Sequence, residues 1–230
     1  VRMLFWVDVR ERLWYWTWRE HRQQAGGGWP LDGGVHFADL FRFHIGPVES
    51  LYAEVRTFFP KRYQDRESLS REMVDVDVED TTIADMRFAG DVVGSWISTS
   101  AAPGWEFGGR AIYGSEGTVQ WGRGLKSRSE ELTMAQLIDQ YMGQLDEDSK
   151  QKLFPGGVTD TVATELHEFI QACLHGGVIE TDGLEGYKAM AICFALYESH
   201  ALGAPVSLQD IEDLRHETYQ ADLNEGLGLG

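Results

Sequence analysis

Residues 81–101 read TTIADMRFAGDVVGSWISTSA. Two runs rich in β-branched and apolar residues, TTIADMRFA and VVGSWISTSA, flank Gly90-Asp91. Two residues cannot carry a helical crossover, so the runs are expected to be antiparallel neighbours. GGRAIYG and GTVQW, separated by Ser115-Glu116, repeat the arrangement. The centre of the chain therefore reads as a meandering sheet and not as alternating strand-helix-strand units.

Upstream, ESLYAEVRTFF (49–59) alternates as a further strand, followed by a polar loop from Pro60 to about Asp75. ADLFRFHIG (38–46) is helical and stops at Gly46-Pro47. The first stretch, RMLFWVDVRERLWYWTW (2–18), alternates as one long strand or two short ones, placing Trp14, Trp16 and Trp18 on one face. Such a face either stacks on sugar rings or packs against helices or another subunit.

Downstream the chain turns helical. LTMAQLIDQYMGQL carries an apolar stripe at Met134, Leu137, Ile138, Tyr141, Met142 and Leu145, with Thr133 and Gln136 spaced as a capping box. TVATELHEFIQACLHGG is a second helix, ended by Gly176. GLEGYKAMAICFALYESHALG is a third, with Asp182 at its start, Gly203 at its end and Pro205 beyond. A shorter helix from about Gln209 to Leu223 precedes a fraying GLGLG tail. The pattern predicts an α+β fold: an open, mostly antiparallel sheet with helices on one face, spanning residues 1–208, followed by a C-terminal helix and flexible tail at 209–230.

With 20 basic against 37 acidic residues, a net charge of −17 disfavours nucleic acid and anionic membranes as partners. No apolar run reaches membrane-spanning length, and VRMLFWV lacks the flanks of a secretory signal. Cys173 and Cys193 fall at apolar helix positions, which argues against a disulfide framework and for a reducing, cytoplasmic setting. Val1 begins inside an apparent strand, so the sequence is expected to be a piece of a longer protein.

Two glycine patterns invite a nucleotide-binding reading and both fail. GRGLKS (122–127) follows the end of a hairpin and leads into polar residues, and GLGLG has nothing after it. Neither presents a helix N-terminus to a pyrophosphate. No P-loop, HExxH or GxSxG occurs. His167 and His175 share a helix but not a face, so no metal site is expected; His44, His200 and His216 read as surface or packed residues. DVDVED (75–80) alternates with valine as a strand bearing solvated carboxylates.

GGGWPLDGGVHFADL (26–40) is different. Asp32 and His36 lie four apart, as neighbours on one helix face. A carboxylate in the first helical turn is favoured by the dipole and can hold an imidazole for general acid/base work. Equally, Asp32 can cap the helix and His36 can lie on a solvated face.

The order of these segments resembles the glucose-fructose oxidoreductase / inositol dehydrogenase (Gfo/Idh/MocA) family. WRE…GGGWPLDGGVHFADLFRFHIGPVESLYAEV is similar to the opening of that family's second domain, and VEDTTIADMRFAGDVVGSW and RAIYGSEGTVQW to its following strands. GLEGYKAMAICFALYESHALGAPVSL is similar to its late helix, where Tyr197, Glu198 and Ser199 match residues the family often has. The resemblance implies an NAD- or NADP-dependent oxidoreductase acting on a carbohydrate or polyol hydroxyl. It further implies a homo-oligomer formed through the sheet face. Carried onto this sequence, it makes Asp32 the carboxylate that orients substrate or base and His36 the general acid/base. Gly33 and Trp105 become lesser substrate contacts, and Arg19 either touches substrate or pairs on the surface. The family's Rossmann domain and Glu-Lys-Pro motif are absent from these 230 residues, so this chain alone is expected to be inactive and not to bind NAD. Two other functions remain compatible with the resemblance: a non-catalytic binding or assembly module of the same fold, and an NAD-dependent glycoside-cleaving enzyme.

Overall fold

The computed structural model describes residues 1–12, 16–64 and 73–229. They form two compact units, residues 1–115 with 187–230, and residues 116–186.

The first unit is built on strands β1 (Met3–Val9), β2 (Val48–Arg56), β5 (Thr81–Phe88), β6 (Val92–Thr99), β7 (Phe107–Tyr113) and β11 (Val206–Ser207), in the order β7-β1-β6-β5-β2-β11. β5 and β6 pair antiparallel from Thr81↔Thr99 to Phe88↔Val92, as the two-residue connection requires. β2 with β5, β1 with β7 and β11 with β2 are also antiparallel. Only β1 with β6 is parallel among these pairs. β3 (Lys61–Tyr63) and β4 (Met73–Asp75) form a separate two-stranded pair.

Alternation decides which face is buried. Thr82, Ala84, Met86 and Phe88 of β5 point inward, as do Leu4 and Trp6 of β1, while Ile83, Met3 and Phe5 remain exposed. The helix α3 (Gly34–Ile45) covers the inward face: Phe41 lies 5.2 Å from Trp6 and 5.3 Å from Trp96 between ring centroids, both edge-on. Burying each such ring contributes on the order of 2 kcal/mol. The helix α7 (Gly183–Leu202) buries Ala189, Ile192, Cys193, Leu196 and Tyr197. The Ser199 hydroxyl accepts from the Ala53 N–H of β2 at 3.0 Å and donates to the Ala204 carbonyl at 2.7 Å. The α+β sheet with helices on one face is therefore the observed fold.

The second unit contains the meander β8 (Gly117–Gln120), β9 (Gly124–Ser127) and β10 (Glu131–Thr133), then α4 (Met134–Gln144), α5 (Glu147–Leu153) and α6 (Thr161–His175). The Thr133–Gln136 capping box forms as read. Along the α4 stripe Met134, Leu137, Met142 and Leu145 are half-buried, but Ile138 and Tyr141 are exposed.

Several expectations are corrected. Trp18 lies in a short 3-10 turn, Trp18–Glu20, because the Thr17 hydroxyl accepts from the Arg19 N–H and ends the extended run. Trp16 and Trp18 thus do not continue one strand face, and Trp14 lies outside the described residues. The Pro60–Asp75 loop contains β3 and β4, held in register by Arg62↔Val74; residues 65–72 lie outside the described set. The single helix over Gln209–Leu223 is two, α8 (Leu208–Glu212) and α9 (Ala221–Leu227), separated where Leu214 adopts φ 55°. α9 also takes in the first two residues of the GLGLG tail. Cys193 is buried, but Cys173 is exposed.

Candidate functional site

The glycine run is where the chain turns from sheet to helix. α1 (Arg22–Ala25) ends at Gly26, whose φ of 80° lies in the left-handed region. Gly28 is the N-cap of α2 (Trp29–Asp32), in which Pro30 occupies the first turn, where its missing N–H costs nothing. Gly33 then ends α2 and Gly34 begins α3.

Asp32 and His36 therefore belong to two helices, which corrects the single face read from their spacing. A side chain at Gly33 would place its Cβ 2.5 Å from the Trp29 ring, so close packing on the indole accounts for this glycine. Asp32 caps nothing: α3 has no side-chain cap, and the Asp32 carboxylate instead accepts from Arg19 Nε at 3.1 Å. This ion pair is about half exposed at both ends (52% and 48%), which limits it to roughly 1 kcal/mol or less. The Arg19 guanidinium lies over the Trp18 ring at 4.7 Å. His36 is exposed and, among the described residues, its imidazole engages in no hydrogen bond or ion pair.

Arg19 and Asp32 line a cavity of about 280 Å³ together with Trp29, Glu79 and the ends of β1 and β6 at Arg10 and Ser98. Arg10 is paired with Asp8 at 2.8 Å. Gly33, His36 and Trp105 do not line this cavity, and Trp105 is 98% exposed on the connection between β6 and β7. Of the five residues singled out in the sequence, the structure thus brings Arg19 and Asp32 together, while His36 lies in the next helix, α3.

The DVDVED reading is corrected in two ways: β4 ends at Asp75, so residues 76–80 do not continue as a strand, and the last two carboxylates are not solvated. Asp80 is buried and accepts from the N–H groups of Phe58 (3.1 Å) and Phe59 (2.8 Å) and from the Thr81 hydroxyl (2.9 Å). Glu79 is buried too. Its carboxylate accepts from the Gly28 N–H at 3.0 and 2.9 Å and from the Tyr197 hydroxyl at 2.7 Å. Burial pushes the Glu79 pKa up to about 7, against the lowering effect of the Tyr197 and Gly28 hydrogen bonds. The available sequence signal was the break in alternation at Glu79-Asp80, directly before a strand. Glu20, at the cavity's edge, is likewise raised by burial, with Arg62 3.7 Å away opposing.

The C-terminal segment reaches the same run. Tyr219 stacks on Tyr197 (4.4 Å between centroids, 14°) and donates its hydroxyl to the Gly26 carbonyl at 2.9 Å. Arg22 lies over the Tyr219 ring, donates to the Tyr219 carbonyl and makes a two-pronged pair with Asp222 at 2.6 and 2.7 Å. No local sequence pattern announces contacts that span some 200 residues.

Residues 3–208 match the family model described as "Oxidoreductase family, C-terminal alpha/beta domain". The chain belongs to the Gfo/Idh/MocA oxidoreductases. It is similar to levoglucosan dehydrogenase of Pseudarthrobacter phenanthrenivorans, 26% identical over 222 residues that cover 85% of this chain and 55% of that protein. The chain thus spans little more than half the length of this relative. Among solved structures, a levoglucosan dehydrogenase complex with NADH and levoglucosan superposes with a TM-score of 0.67 at 21% identity, covering 90% of this chain and 58% of that one. An oxidoreductase domain protein from Kribbella flavida gives 0.68 at 18% identity, covering 90% and 59%. At these identities the structures establish the shared Gfo/Idh/MocA fold. In this member of the family, GRGLKS has a structural explanation: Gly124 sits at φ 131° in β9, and a Cβ there would meet the Leu132 carbonyl oxygen at 1.9 Å. The segment runs on into the β9–β10 pair, not a helix, and so offers a pyrophosphate no seat.

Proposed function

We propose that the complete protein is an NAD- or NADP-dependent oxidoreductase acting on a hydroxyl of a sugar, cyclitol or glycoside, and that this chain supplies the substrate pocket. The observation that carries the proposal is the Arg19–Asp32 pair on the wall of a cavity in a domain of this family. Solved relatives hold NADH with levoglucosan or L-sorbose, which supports the nicotinamide and the carbohydrate class.

The glycine patterns of this chain do not fit a dinucleotide, so the chemistry assigned here is confined to binding the substrate and moving its proton. Asp32 accepts from a substrate hydroxyl, or orients the imidazole that acts as base, while Arg19 donates to a neighbouring sugar oxygen. His36, exposed and unpartnered among the described residues, takes the proton from the hydroxyl at the carbon being oxidised. Gly33 acts through the packing of Trp29, and Trp105, on an exposed connection, is a lesser substrate contact.

The outer sheet face supports a homo-oligomer. Met3, Phe5, Ile83, Val93 and Tyr113 are exposed on that face, which offers apolar surface for a second copy to cover. The net charge of −17 supports a protein without nucleic-acid partners, and no helix among the described residues is long and apolar enough to cross a membrane.

The test is a panel of sugars, anhydrosugars and cyclitols, levoglucosan and L-sorbose included, offered to the full-length protein with NAD and with NADP. Appearance of reduced nucleotide at 340 nm with a subset of the panel is the expected result. No reduction with any polyol, at confirmed nucleotide binding, would remove the reading.

A further inference from the structure

We propose that Glu79 is a positioning residue for the candidate substrate site: it fixes the Gly28 peptide, and through it the α2 turn that delivers Trp29 and Asp32 to the cavity. The inference rests on the reading of that cavity as the substrate pocket.

The route is a short chain of hydrogen bonds. Both carboxylate oxygens of Glu79 accept from the Gly28 N–H, at 3.0 and 2.9 Å. The carbonyl of the same residue, Gly28, accepts from the backbone N–H of Asp32 at 3.1 Å and of Leu31 at 3.2 Å. A displacement of Gly28 is therefore passed to Asp32 across one helical turn. The approach is too close for any side chain: a Cβ at Gly28 would stand 2.7 Å from Glu79 Oε1, and one at Gly27 would stand 2.5 Å from the Tyr197 hydroxyl oxygen. Tyr197 donates to Glu79, and Tyr219, stacked on Tyr197, holds Gly26 at the other end of the run. Three glycines are thus clamped by one carboxylate and two phenols.

The two hydrogen bonds are individually stronger when Glu79 is ionised, because both donors then meet an anion, while burial favours the protonated carboxyl by more. The groups facing it are Tyr197 and Cys193 from α7, Tyr219 from the C-terminal segment and its chain neighbour Asp80, none of them a cation. The cavity it lines also holds the cations Arg10, Arg12, Arg19 and Arg62 and the carboxylates Asp8, Glu20 and Asp32. With its pKa pushed up to about 7, Glu79 gains a proton as pH falls through neutrality, and one oxygen turns from acceptor to donor.

The test uses the full-length protein and two readouts. In Glu79→Gln, which is nearly isosteric, hydrogen–deuterium exchange of the peptide spanning residues 26–33 is expected to accelerate about ten-fold, with the thermal midpoint at pH 8 retained. KM for the sugar or cyclitol found by the panel is expected to rise roughly ten-fold with KM for the nucleotide unchanged, since misplacing an orienting group weakens only what it orients. A merely structural residue would lower the active fraction, hence kcat, and leave that KM alone. Tyr197→Phe, removing one donor, is expected to give a smaller change in the same direction. Exchange and KM both unchanged in Glu79→Gln overturn the proposal; faster exchange with unchanged KM overturns the positioning role; raised KM with unchanged exchange overturns the route through Gly28. A full-length protein that oxidises no member of the panel overturns the functional reading itself, and the positioning role with it, whatever the exchange data show.

Discussion

Two carboxylates face the same cavity in opposite circumstances. Asp32 is half exposed, pairs with a half-exposed Arg19 and sits at the end of a four-residue helix. Glu79 is buried, meets two donors and lies beneath the glycine run. The difference separates two tasks: a group that must meet a ligand stays accessible, and the group that fixes its position can be enclosed. Enclosure has a cost, because a buried carboxylate gives up solvation that two hydrogen bonds only partly replace.

The largest expected effect lies on the accessible side. In the complete protein, His36→Ala should lower turnover by roughly two orders of magnitude or more while the thermal midpoint stays within a few degrees, because the exposed imidazole makes no contact that the fold needs. Unchanged turnover with the true substrate would take His36 out of the reaction.

Next is a steric test of the enclosed side. Gly28→Ala forces a methyl group against Glu79, and the expected loss is about 1–3 kcal/mol of stability, read by denaturant unfolding. Gly90→Ala makes a useful contrast, since a Cβ there meets nothing within 4 Å and only its φ of 77° opposes the change. A Gly28 variant no less stable than the Gly90 variant would show that the run is loosely held.

The pH dependence follows from the sign of the Glu79 shift. Its pKa in the folded chain, about 7, lies above the ordinary 4.5, so between those values the folded state binds more protons than the unfolded one. Stability contributed by this group is full below about 4.5 and falls as pH rises to about 7. The stability of the unsubstituted protein relative to Glu79→Gln should therefore decline across that window and level off above it, by chemical unfolding at each pH. A flat difference would mean that Glu79 titrates normally.

The smallest effect is expected for Arg19→Ala: less than about 1 kcal/mol of stability, because the pair with Asp32 is solvent-screened, but a measurable rise in KM for the sugar. A large loss of stability with unchanged KM would reverse the assignment of accessible and enclosed roles.

How much was legible in the sequence follows the same division. The strands around Gly90-Asp91 were readable because a two-residue connection admits one pairing, and the helix ending at Gly203 because Asp182, Gly203 and Pro205 punctuate it. Asp32 and His36 stood out by spacing, although Gly33 splits the helix on which that spacing was measured. The burial of Glu79 escapes the alternation with valine because the chain leaves the strand after Asp75, and it depends on Gly28 and Tyr197, 51 and 118 residues away. Tyr219 could not be found at all, since stacking on Tyr197 leaves no periodic trace.

The most direct measurement is a structure of the complete protein with nucleotide and its sugar or cyclitol bound. The account predicts the ligand in the Arg19–Asp32 cavity, with the reacting hydroxyl within hydrogen-bond reach of His36. A ligand bound elsewhere, or a reacting hydroxyl beyond reach of His36, would contradict it.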